Sequence, residues 1–488
     1  MPHSPARPPL RALRRRPLGS VSECGAESGV VQGVAWPGAV WKEYRASFER
    51  RQRRQGAPWA APGRRLRIPK RGLALGVAVL VAATAAGCGS GAPVQATLSG
   101  NETLTITTFG EFGYDDLIKT WNADPKSPFK VKQTKIKEWD TWREQLNRKL
   151  DAGSGLTDIV AVEGDSMPKF LTPKESARFV DLSDPKLAHR FVGYKYDAGR
   201  TNAGKQVGYP TDAGPEAMCY RADLFKKAGL ASSRAKVTKY FSSWDTYFKT
   251  GALFVKRVPG SKWYDSSGSI AQAMLNQTRY PFQDRNGTVD LQNDGLRNVY
   301  GTVASHAATL STGADLWSDQ WTANFTDNGF ATIPCPGWMF ANIKKAAPKV
   351  KGWDIADAFP GGGGNWGGSY LAVPKQSAHQ KEAKQFAAWL TDAEQEVAVF
   401  HAAGNYPANL AAQQELSDEG GTDAYFNDAP TAKILADRAQ AVKPNLPYKG
   451  DKYSDILALL QSTIHEVDLS NPPSVAWTDF LDGVDLLN

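Results

Sequence analysis

The sequence predicts an α/β protein with more than one hydrophobic core, and three observations carry this prediction. The chain has 488 residues, which is enough for two or more domains. Strand patterns alternate with helix patterns over 102–164, as they do in a lobe with a largely parallel sheet. Pro210, Gly214 and Pro215 then interrupt two short strand patterns, which is typical of a chain that crosses between lobes.

The first lobe follows from the pattern of apolar residues over 102–164. Alternation predicts strands in "ETLTITTFG" (102–110) and "FKVKQTKI" (129–136), and the continuous apolar run "TDIVAVEG" (157–164) predicts a buried strand. Helical spacing predicts the two helices between them, in "YDDLIKTWNAD" (114–124) and "WDTWREQLNRKLDAGSG" (139–155).

The rest of the chain predicts a second set of strands and helices. The aromatic-rich middle, 231–330, is expected to be helical. The remaining elements are two strands and a helix in 207–230, strands in 330–340 and 349–360, one long helix in 379–404 and a helix in 454–469.

The glycine-rich stretch "PGGGGNWGGSYLAVPKQS" (360–377) contains a formal G-x-G-x-x-G at Gly362, Gly364 and Gly367. A dinucleotide site needs a helix to open after these glycines. Here "SYLAV" and Pro374 follow, which predicts a strand, so we exclude nucleotide binding. Two interpretations stay open: a flexible loop with one buried tryptophan, or a loop that presents Trp366 to a ligand.

Two further motifs are excluded on their residues. "GRTNAGKQ" (199–206) has the spacing of a P-loop but ends in Gln206 rather than Ser or Thr, and a strand pattern follows, so it predicts a hairpin turn. "DRNGTVDLQNDG" (284–295) lacks the glycine and glutamate of a calcium loop and predicts a turn. No cysteine–histidine cluster has zinc spacing, so we expect no metal, cofactor or catalytic residue.

The formal net charge of +8 is concentrated at the N-terminal end. Residues 1–71 hold 16 Lys and Arg against 4 Asp and Glu, residues 72–88 hold no charge, and 89–488 hold 42 against 46. The bulk of the chain is therefore mildly acidic, which does not support nucleic-acid binding. Residues 1–71 are rich in Arg, Pro and Gly, which predicts a disordered extension or a start of translation assigned too far upstream.

Residues 72–88 resemble a bacterial lipoprotein signal peptide. Lys70 and Arg71 precede an apolar run of sixteen residues, small residues follow, and the run ends at Cys88. We expect the thiol of Cys88 to carry the lipid and 89–101 to form a flexible linker, although Ala85 stands where such signals usually carry leucine. A simple secretory cleavage is the alternative.

Two cysteines remain in the body of the chain. Cys24 lies in the N-terminal extension and Cys88 is the lipid candidate, which leaves Cys219 and Cys335. In an oxidising compartment this pair suits one disulfide, and two free buried thiols are the alternative.

The order of these elements resembles the extracellular solute-binding proteins of ABC sugar importers, in the maltose-binding-like group, over about 102–480. Four stretches resemble the cellobiose- and cello-oligosaccharide-binding lipoproteins of actinobacterial importers. They are "TLTITTFGEFGY", "GYPTDAGPEAMCYRADLFKKAGL", "ATIPCPGWM" and "GNWGGSYLAVPKQS". The helix end "AAWLTDAEQ" followed by "GNYPAN" is similar to the wider family.

The resemblance implies two α/β lobes joined by hinge strands, with the ligand in the cleft between them. The first lobe would comprise 102–212 with about 361–405, and the second 213–360 with about 406–488. Sugar rings bind to aromatic faces, carboxylates and amides. The resemblance and the positions at strand ends make six residues candidates for binding ligand, namely Glu111, Glu163, Asp212, Trp338, Asn365 and Trp366.

The function implied is that of a monomeric, lipid-anchored protein on the outer face of the cell membrane. It would capture an oligosaccharide, with cellobiose or cello-oligosaccharides expected, and deliver it to the permease subunits of an ABC importer. Two alternatives stay open: an enzyme in which paired carboxylates hydrolyse a glycoside, and a binding protein for another solute.

Overall fold

The computed structural model describes residues 95–443 and 447–487. Cys88 and the segments 1–71 and 72–88 lie outside these residues, as do residues 89–94 of the expected linker. Within the described ranges the chain forms two α/β lobes, which confirms the predicted fold class. The strands are β1 (Thr103–Phe109), β2 (Lys130–Ile136), β3 (Ile159–Glu163), β4 (Gly208–Pro210), β5 (Ala217–Arg221), β6 (Lys262–Tyr264), β7 (Phe330–Cys335), β8 (Trp353–Ala356) and β9 (Ser369–Ala372).

The helices cover most of the remaining chain. Those up to the middle of the second lobe are α1 (Asp115–Ala123), α2 (Trp139–Asp151), α3 (Met167–Phe170), α4 (Pro173–Ser176), α5 (Pro185–Ala188), α6 (Gly193–Ala198), α7 (Ala222–Lys227), α8 (Arg234–Val237), α9 (Trp244–Arg257) and α10 (Ser267–Leu275). The later ones are α11 (Asp294–Leu310), α12 (Asp319–Ala323), α13 (Met339–Ala346), α14 (Gln380–Leu390), α15 (Ala393–Ala403), α16 (Leu410–Glu419), α17 (Thr431–Ala441), α18 (Tyr453–Asp468) and α19 (Pro473–Asp485). Short 3₁₀ turns occupy Thr238–Phe241 and Ala424–Phe426.

The sheet of the first lobe has the strand order β2-β1-β3-β9-β4 in the described part of the chain. β1 pairs in parallel with β2 and with β3, as the alternation of strands and helices predicted. β9 is antiparallel to both β3 and β4, so the sheet is mixed rather than largely parallel. The reason is that the chain returns from the second lobe to the first at β9, so that β9 enters the sheet in the direction opposite to β3 and β4.

The sheet of the second lobe has the order β6-β7-β5-β8. β5 runs antiparallel to β7 and β8, and only the β6–β7 pair is parallel. Cys219 on β5 and Cys335 on β7 form a disulfide, with their Cα atoms 5.4 Å apart. The bridge joins two neighbouring, fully buried strands.

Packing onto the sheets explains why the helical faces were readable in the sequence. Trp142, Leu146 and Leu150 of α2 are buried against the first sheet, and the indole N–H of Trp142 donates to the carbonyl of Ala161, 2.8 Å away. In the second lobe α9 packs directly on Trp263. A Cβ atom at Gly251 would lie 2.4 Å from that ring, so the residue must be glycine.

The long helix expected over 379–404 is two helices, α14 and α15. Asp392 caps the second one, because its carboxylate accepts a hydrogen bond from the amide of Ala393 at 2.9 Å. A capping aspartate starts a helix where the apolar pattern alone suggested continuity. Thr391 turns its hydroxyl back to the carbonyl of Ala387.

The two excluded motifs fold as predicted. Residues 199–206 form a hairpin turn in which Arg200 pairs with Gln206. Over 284–295, Gln283 pairs with Val289 and the carboxylate of Asp284 accepts the amides of Asn286 and Thr288.

The described residues hold no group of three or more His, Cys, Asp or Glu side chains that could bind a metal ion. Across 95–443 and 447–487, every helix is too short or too polar to cross a membrane.

Candidate functional site

The glycine-rich loop lies where the chain crosses back from the second lobe to the first. Residues 361–368 connect β8 to β9, beside the outgoing crossing that connects β4 to β5. The backbone amide of Trp366 donates to the carbonyl of Gly214 at 2.8 Å. The backbone amide of Glu216 donates to the carbonyl of Gly364 at 3.0 Å. A Cβ at Gly214 would lie 1.9 Å from the Trp366 carbonyl, so the close contact of the two crossings requires glycine there.

Gly367 is the point at which an acidic and two aromatic side chains converge. Its φ of +67° is in the left-handed region that favours glycine. A Cβ built there would lie 3.6 Å from Glu163 Oε1 and 3.7 Å from Trp338 Nε1. The Trp338 indole donates to the carbonyl of Trp366 at 3.0 Å, and the two rings meet edge to face, 5.1 Å between centroids. The structure thus brings together Glu163, Trp338 and Trp366.

The carboxyl group of Glu163 is held in a fixed orientation. Glu163 ends β3, and its two oxygens accept the amides of Asp165 at 2.9 Å and Ser166 at 3.0 Å. Burial, followed by the charge of Asp165, raises its pKa from the ordinary 4.5 to about 8. Near neutral pH the group is therefore largely protonated, and it can both donate and accept hydrogen bonds.

A chain of polar side chains links the two lobes behind Glu163. Asp165 of the first lobe forms an ion pair with Lys449 and accepts a hydrogen bond from Gln272 of α10 at 3.2 Å. Next to it, the amide of Asn276 donates to Glu216 Oε2 at 3.1 Å. The contacts of Asp165 with Lys449 and Gln272 join the two lobes, and the Asn276–Glu216 hydrogen bond lies within the second lobe beside Gly364 of the glycine-rich loop.

Glu216 is a site residue that the sequence reasoning missed. Its side chain is fully buried, and Oε1 has no hydrogen-bond partner among the described residues. Burial raises its pKa well above the ordinary value. A Cβ at Gly364 would lie 2.1 Å from Glu216 Oε2, so the loop passes directly over the carboxyl. The only signal in the sequence is that Glu216 is a second acidic residue, after Asp212, in the short crossing 211–216.

Asp212 and Asn365 hold the crossing strands in place. Asp212 Oδ1 accepts the amide of Ser369 at 2.8 Å and the hydroxyl of Thr211 at 2.7 Å, and burial raises the pKa of Asp212. Asn365 accepts the amide of Gly214 at 2.9 Å and donates to the carbonyl of Gly367 at 3.0 Å.

Glu111 lies on a different loop, between β1 and α1. About half of its side chain is exposed, and it forms an ion pair with Lys135 of β2, N to O 3.3 Å. It also accepts the amide of Gly113 at 3.0 Å. Asn405, which follows α15, donates to the carbonyl of Glu111 at 3.1 Å. The loop is thereby tied to the segment beyond α15.

A third tryptophan completes the aromatic group. Trp317 lies with its ring centroid 5.9 Å from that of Trp338 and 6.2 Å from that of Trp366. It lies in the loop before α12, where no periodicity distinguishes it from the other aromatic residues in the middle of the chain.

Comparison with known proteins bears on the family and the fold. The family model for bacterial extracellular solute-binding proteins matches residues 116–432. An arabinooligosaccharide-binding protein of Bacillus subtilis is 26% identical over 369 residues, which are 71% of this chain and 83% of the relative.

Two solved structures share the fold. One, described as an extracellular solute-binding protein of family 1, has a TM-score of 0.71 and 38% identity, covering 79% of this chain and 99% of that one. The other is an ABC-transporter-associated binding protein of B. animalis subsp. lactis with bound β-1,6-galactobiose, at TM-score 0.65, 18% identity and coverage of 79% and 97%. This chain belongs to the family of bacterial extracellular solute-binding proteins.

Proposed function

We propose that this protein captures an oligosaccharide outside the cytoplasm and delivers it to an ABC importer. The observation that carries the proposal is the convergence of Glu163, Trp338 and Trp366 around Gly367, at the crossing between the lobes. Two indole rings offer flat apolar faces for the CH side of a sugar, and a protonated carboxyl serves its hydroxyls. Glu216 Oε1, which has no hydrogen-bond partner within 95–443 and 447–487, adds a polar atom at the same crossing.

Ligand entry requires the lobes to separate. Trp366 is only 7% exposed and Glu216 is fully buried. The cross-lobe contacts of Asp165 with Lys449 and Gln272 cover this region. We propose that a sugar enters an open form and that these contacts form again when the lobes close on it, as in hinge-type binding proteins.

We propose cellobiose or cello-oligosaccharides as the ligand. The support is the likeness of "ATIPCPGWM" and "GNWGGSYLAVPKQS" to cello-oligosaccharide-binding lipoproteins, since these stretches carry Trp338 and Trp366. The Bacillus relative is described as an arabinooligosaccharide-binding protein and the structure from B. animalis subsp. lactis holds β-1,6-galactobiose, so both sugars belong in the same test.

A thermal-shift panel tests the proposal. A ligand that binds only the folded state raises the melting temperature by mass action, by about 2.7 kcal/mol of stability at ~100 times its Kd. We expect cellobiose and cellotriose to raise it more than arabinobiose, β-1,6-galactobiose or maltose. If no sugar of the panel raises the melting temperature, the proposed function is overturned. If arabinobiose raises it more than cellobiose does, the proposed ligand becomes an arabino-oligosaccharide and the proposed function stands.

An assay for product release separates binding from glycoside hydrolysis. We expect cellotriose to be recovered intact after incubation with the protein at a concentration that saturates it. Release of glucose, blocked by Glu163→Gln, would favour the enzyme.

We further propose that the protein is anchored to the outer face of the membrane by lipid on Cys88 and works as a monomer with the permease subunits. We expect Cys88→Ala to release the protein from the membrane fraction into the medium. Wild-type and variant protein distributing identically would contradict the anchor.

A further inference from the structure

We infer that Trp317 forms an outer sugar subsite, which extends the Trp338–Trp366 platform and makes the site prefer chains of two or more sugar rings over a single ring. The inference rests on the proposed function and adds the length selectivity of the site. It concerns a residue in the loop between α11 and α12, on the second lobe.

Trp317 is exposed on one side and anchored on the other. It is 47% exposed, whereas Trp321 beside it is 4% exposed and Trp366 is 7% exposed. Its ring touches three tryptophans, with centroid distances of 4.9 Å to Trp321, 5.9 Å to Trp338 and 6.2 Å to Trp366. The open face of Trp317 is therefore continuous with the aromatic pair beside Gly367.

The loop that carries Trp317 is fastened to the buried Asp265. The indole N–H of Trp321 donates to Asp265 Oδ2 at 2.7 Å, and the hydroxyl of Thr312 donates to the carbonyl of Asp265. Directly after Trp317, Ser318 caps α12 by accepting the amide of Trp321 at 3.1 Å. Both ends of the loop are thus fixed, which holds the ring of Trp317 in one place without burying it.

The backbone of Trp317 adopts a conformation that suits glycine better than tryptophan. Its φ is +70°, in the left-handed region that residues with a Cβ rarely occupy. Such conformations persist where the surroundings enforce them, and they cluster at ligand sites. Packing against three tryptophans buries only about half of this residue, and its backbone is unfavourable, so we assign the exposed part of the ring to binding.

The arrangement separates an inner from an outer position. At the inner position Glu163 and the half-buried Trp338 flank Gly367. The exposed face of Trp317 lies outside this group, so it meets a second ring of a longer chain rather than the first. A monosaccharide at the inner position leaves Trp317 uncovered.

Calorimetric titration of wild type, Trp317→Ala and Trp317→Phe with glucose, cellobiose and cellotriose tests the inference. Loss of ring stacking and of the apolar area it buries is expected to weaken cellobiose and cellotriose binding at least about tenfold in Trp317→Ala. Glucose affinity stays unchanged, and Trp317→Phe retains most of the affinity. Arabinose, arabinobiose and arabinotriose replace this series if the panel identifies arabino-oligosaccharides.

Leu253→Ala is the matched control, because Leu253 is a 39%-exposed apolar residue on α9 of the same lobe. It should bind every sugar as wild type does. Tryptophan fluorescence gives a second readout: cellotriose covers Trp317 and shifts the emission to shorter wavelength, and the shift is reduced in Trp317→Phe.

The outcomes separate the two proposals. If wild type binds no sugar of either series, the proposed function fails. If wild type binds sugars and Trp317→Ala binds all lengths equally well, or loses glucose as much as cellotriose, the outer subsite is overturned while the proposed function stands.

Discussion

Trp338 is the tryptophan whose removal best reports on binding. It is half-buried, whereas Trp366 is 7% exposed and belongs to the hydrophobic cluster of the second lobe. We expect Trp338→Ala to weaken sugar binding at least about tenfold, because stacking and apolar burial are both lost. Calorimetry measures the affinity, and Trp338→Phe is the control that should keep most of it. Unchanged affinity in Trp338→Ala would remove this ring from the site.

The buried carboxyl of Glu163 makes stability depend on pH in a defined direction. The pKa of this group is about 8 in the folded chain against an ordinary 4.5. Between these values the unfolded chain releases a proton that the folded chain keeps, so folding loses stability as pH rises. Below the lower value the two states bind the proton equally and the loss disappears.

Glu163→Gln should therefore flatten the pH profile of stability. We expect its melting temperature to fall less than that of wild type between about pH 5 and about pH 8. Calorimetric scans across this range measure the difference. Glu216 carries a pKa raised in the same direction, so Glu216→Gln should act likewise. If the melting temperatures of wild type and both variants change with pH in parallel, the raised pKa values of Glu163 and Glu216 are contradicted.

At the scale of the elements, the disulfide between β5 and β7 closes a long loop. Cys219 and Cys335 are 116 residues apart in the sequence. We expect Cys219→Ala/Cys335→Ala to lose about 2–5 kcal/mol of stability to denaturant, since a cross-link over such a loop restricts the unfolded chain. Peptide mapping without reductant should recover the linked peptides. Two free thiols in wild type would refute the bridge.

The elements also mark what the sequence could and could not predict. β1, β2 and α2 were readable because one face of each is buried, which imposes period 2 or 3.6. β3 was readable for a different reason: it is buried on both faces and therefore appears as a continuous apolar run. The break between α14 and α15 could not be read from the sequence, because the apolar pattern continues across Asp392. Only the hydrogen bond by which Asp392 caps α15 marks the start of the second helix.

The site was less predictable than the fold for a physical reason. The glycine-rich loop left open whether Trp366 is buried or presented to a ligand. Its ring is 7% exposed, because Gly214 allows the two crossings to touch and no sequence pattern encodes that contact. Trp317 and Glu216 take their roles from contacts across the tertiary structure, and no local pattern encodes these.

For the whole molecule, the contacts that join the lobes set the balance between open and closed forms. Arg143 of α2 forms an ion pair with Asp455 of α18, N to O 2.7 Å, and both side chains are partly exposed. A pair of this kind contributes ~0.2–1 kcal/mol. We expect Arg143→Ala/Asp455→Ala to weaken sugar binding by up to about fivefold, because closure of the lobes is less favoured.

Solution scattering of the sugar-free protein provides the second measurement for this pair. The double variant should have a larger radius of gyration than wild type, and saturating ligand should restore the wild-type value. Lys249→Ala is the control, because its ion pair with Asp245 lies within α9 on the surface of one lobe. Identical scattering and affinity in the Arg143/Asp455 variant would show that the pair does not govern closure.

The position of β9 has a consequence for the order in which the chain is made. β9 lies between β3 and β4, yet every strand of the second sheet precedes it in the sequence. A growing or exported chain therefore exposes the unpaired edges of β3 and β4 until residues 369–372 arrive, and such edges invite aggregation. A nascent chain that stops at residue 360 should stay protease-sensitive in its N-terminal half, and one that extends beyond 372 should become resistant.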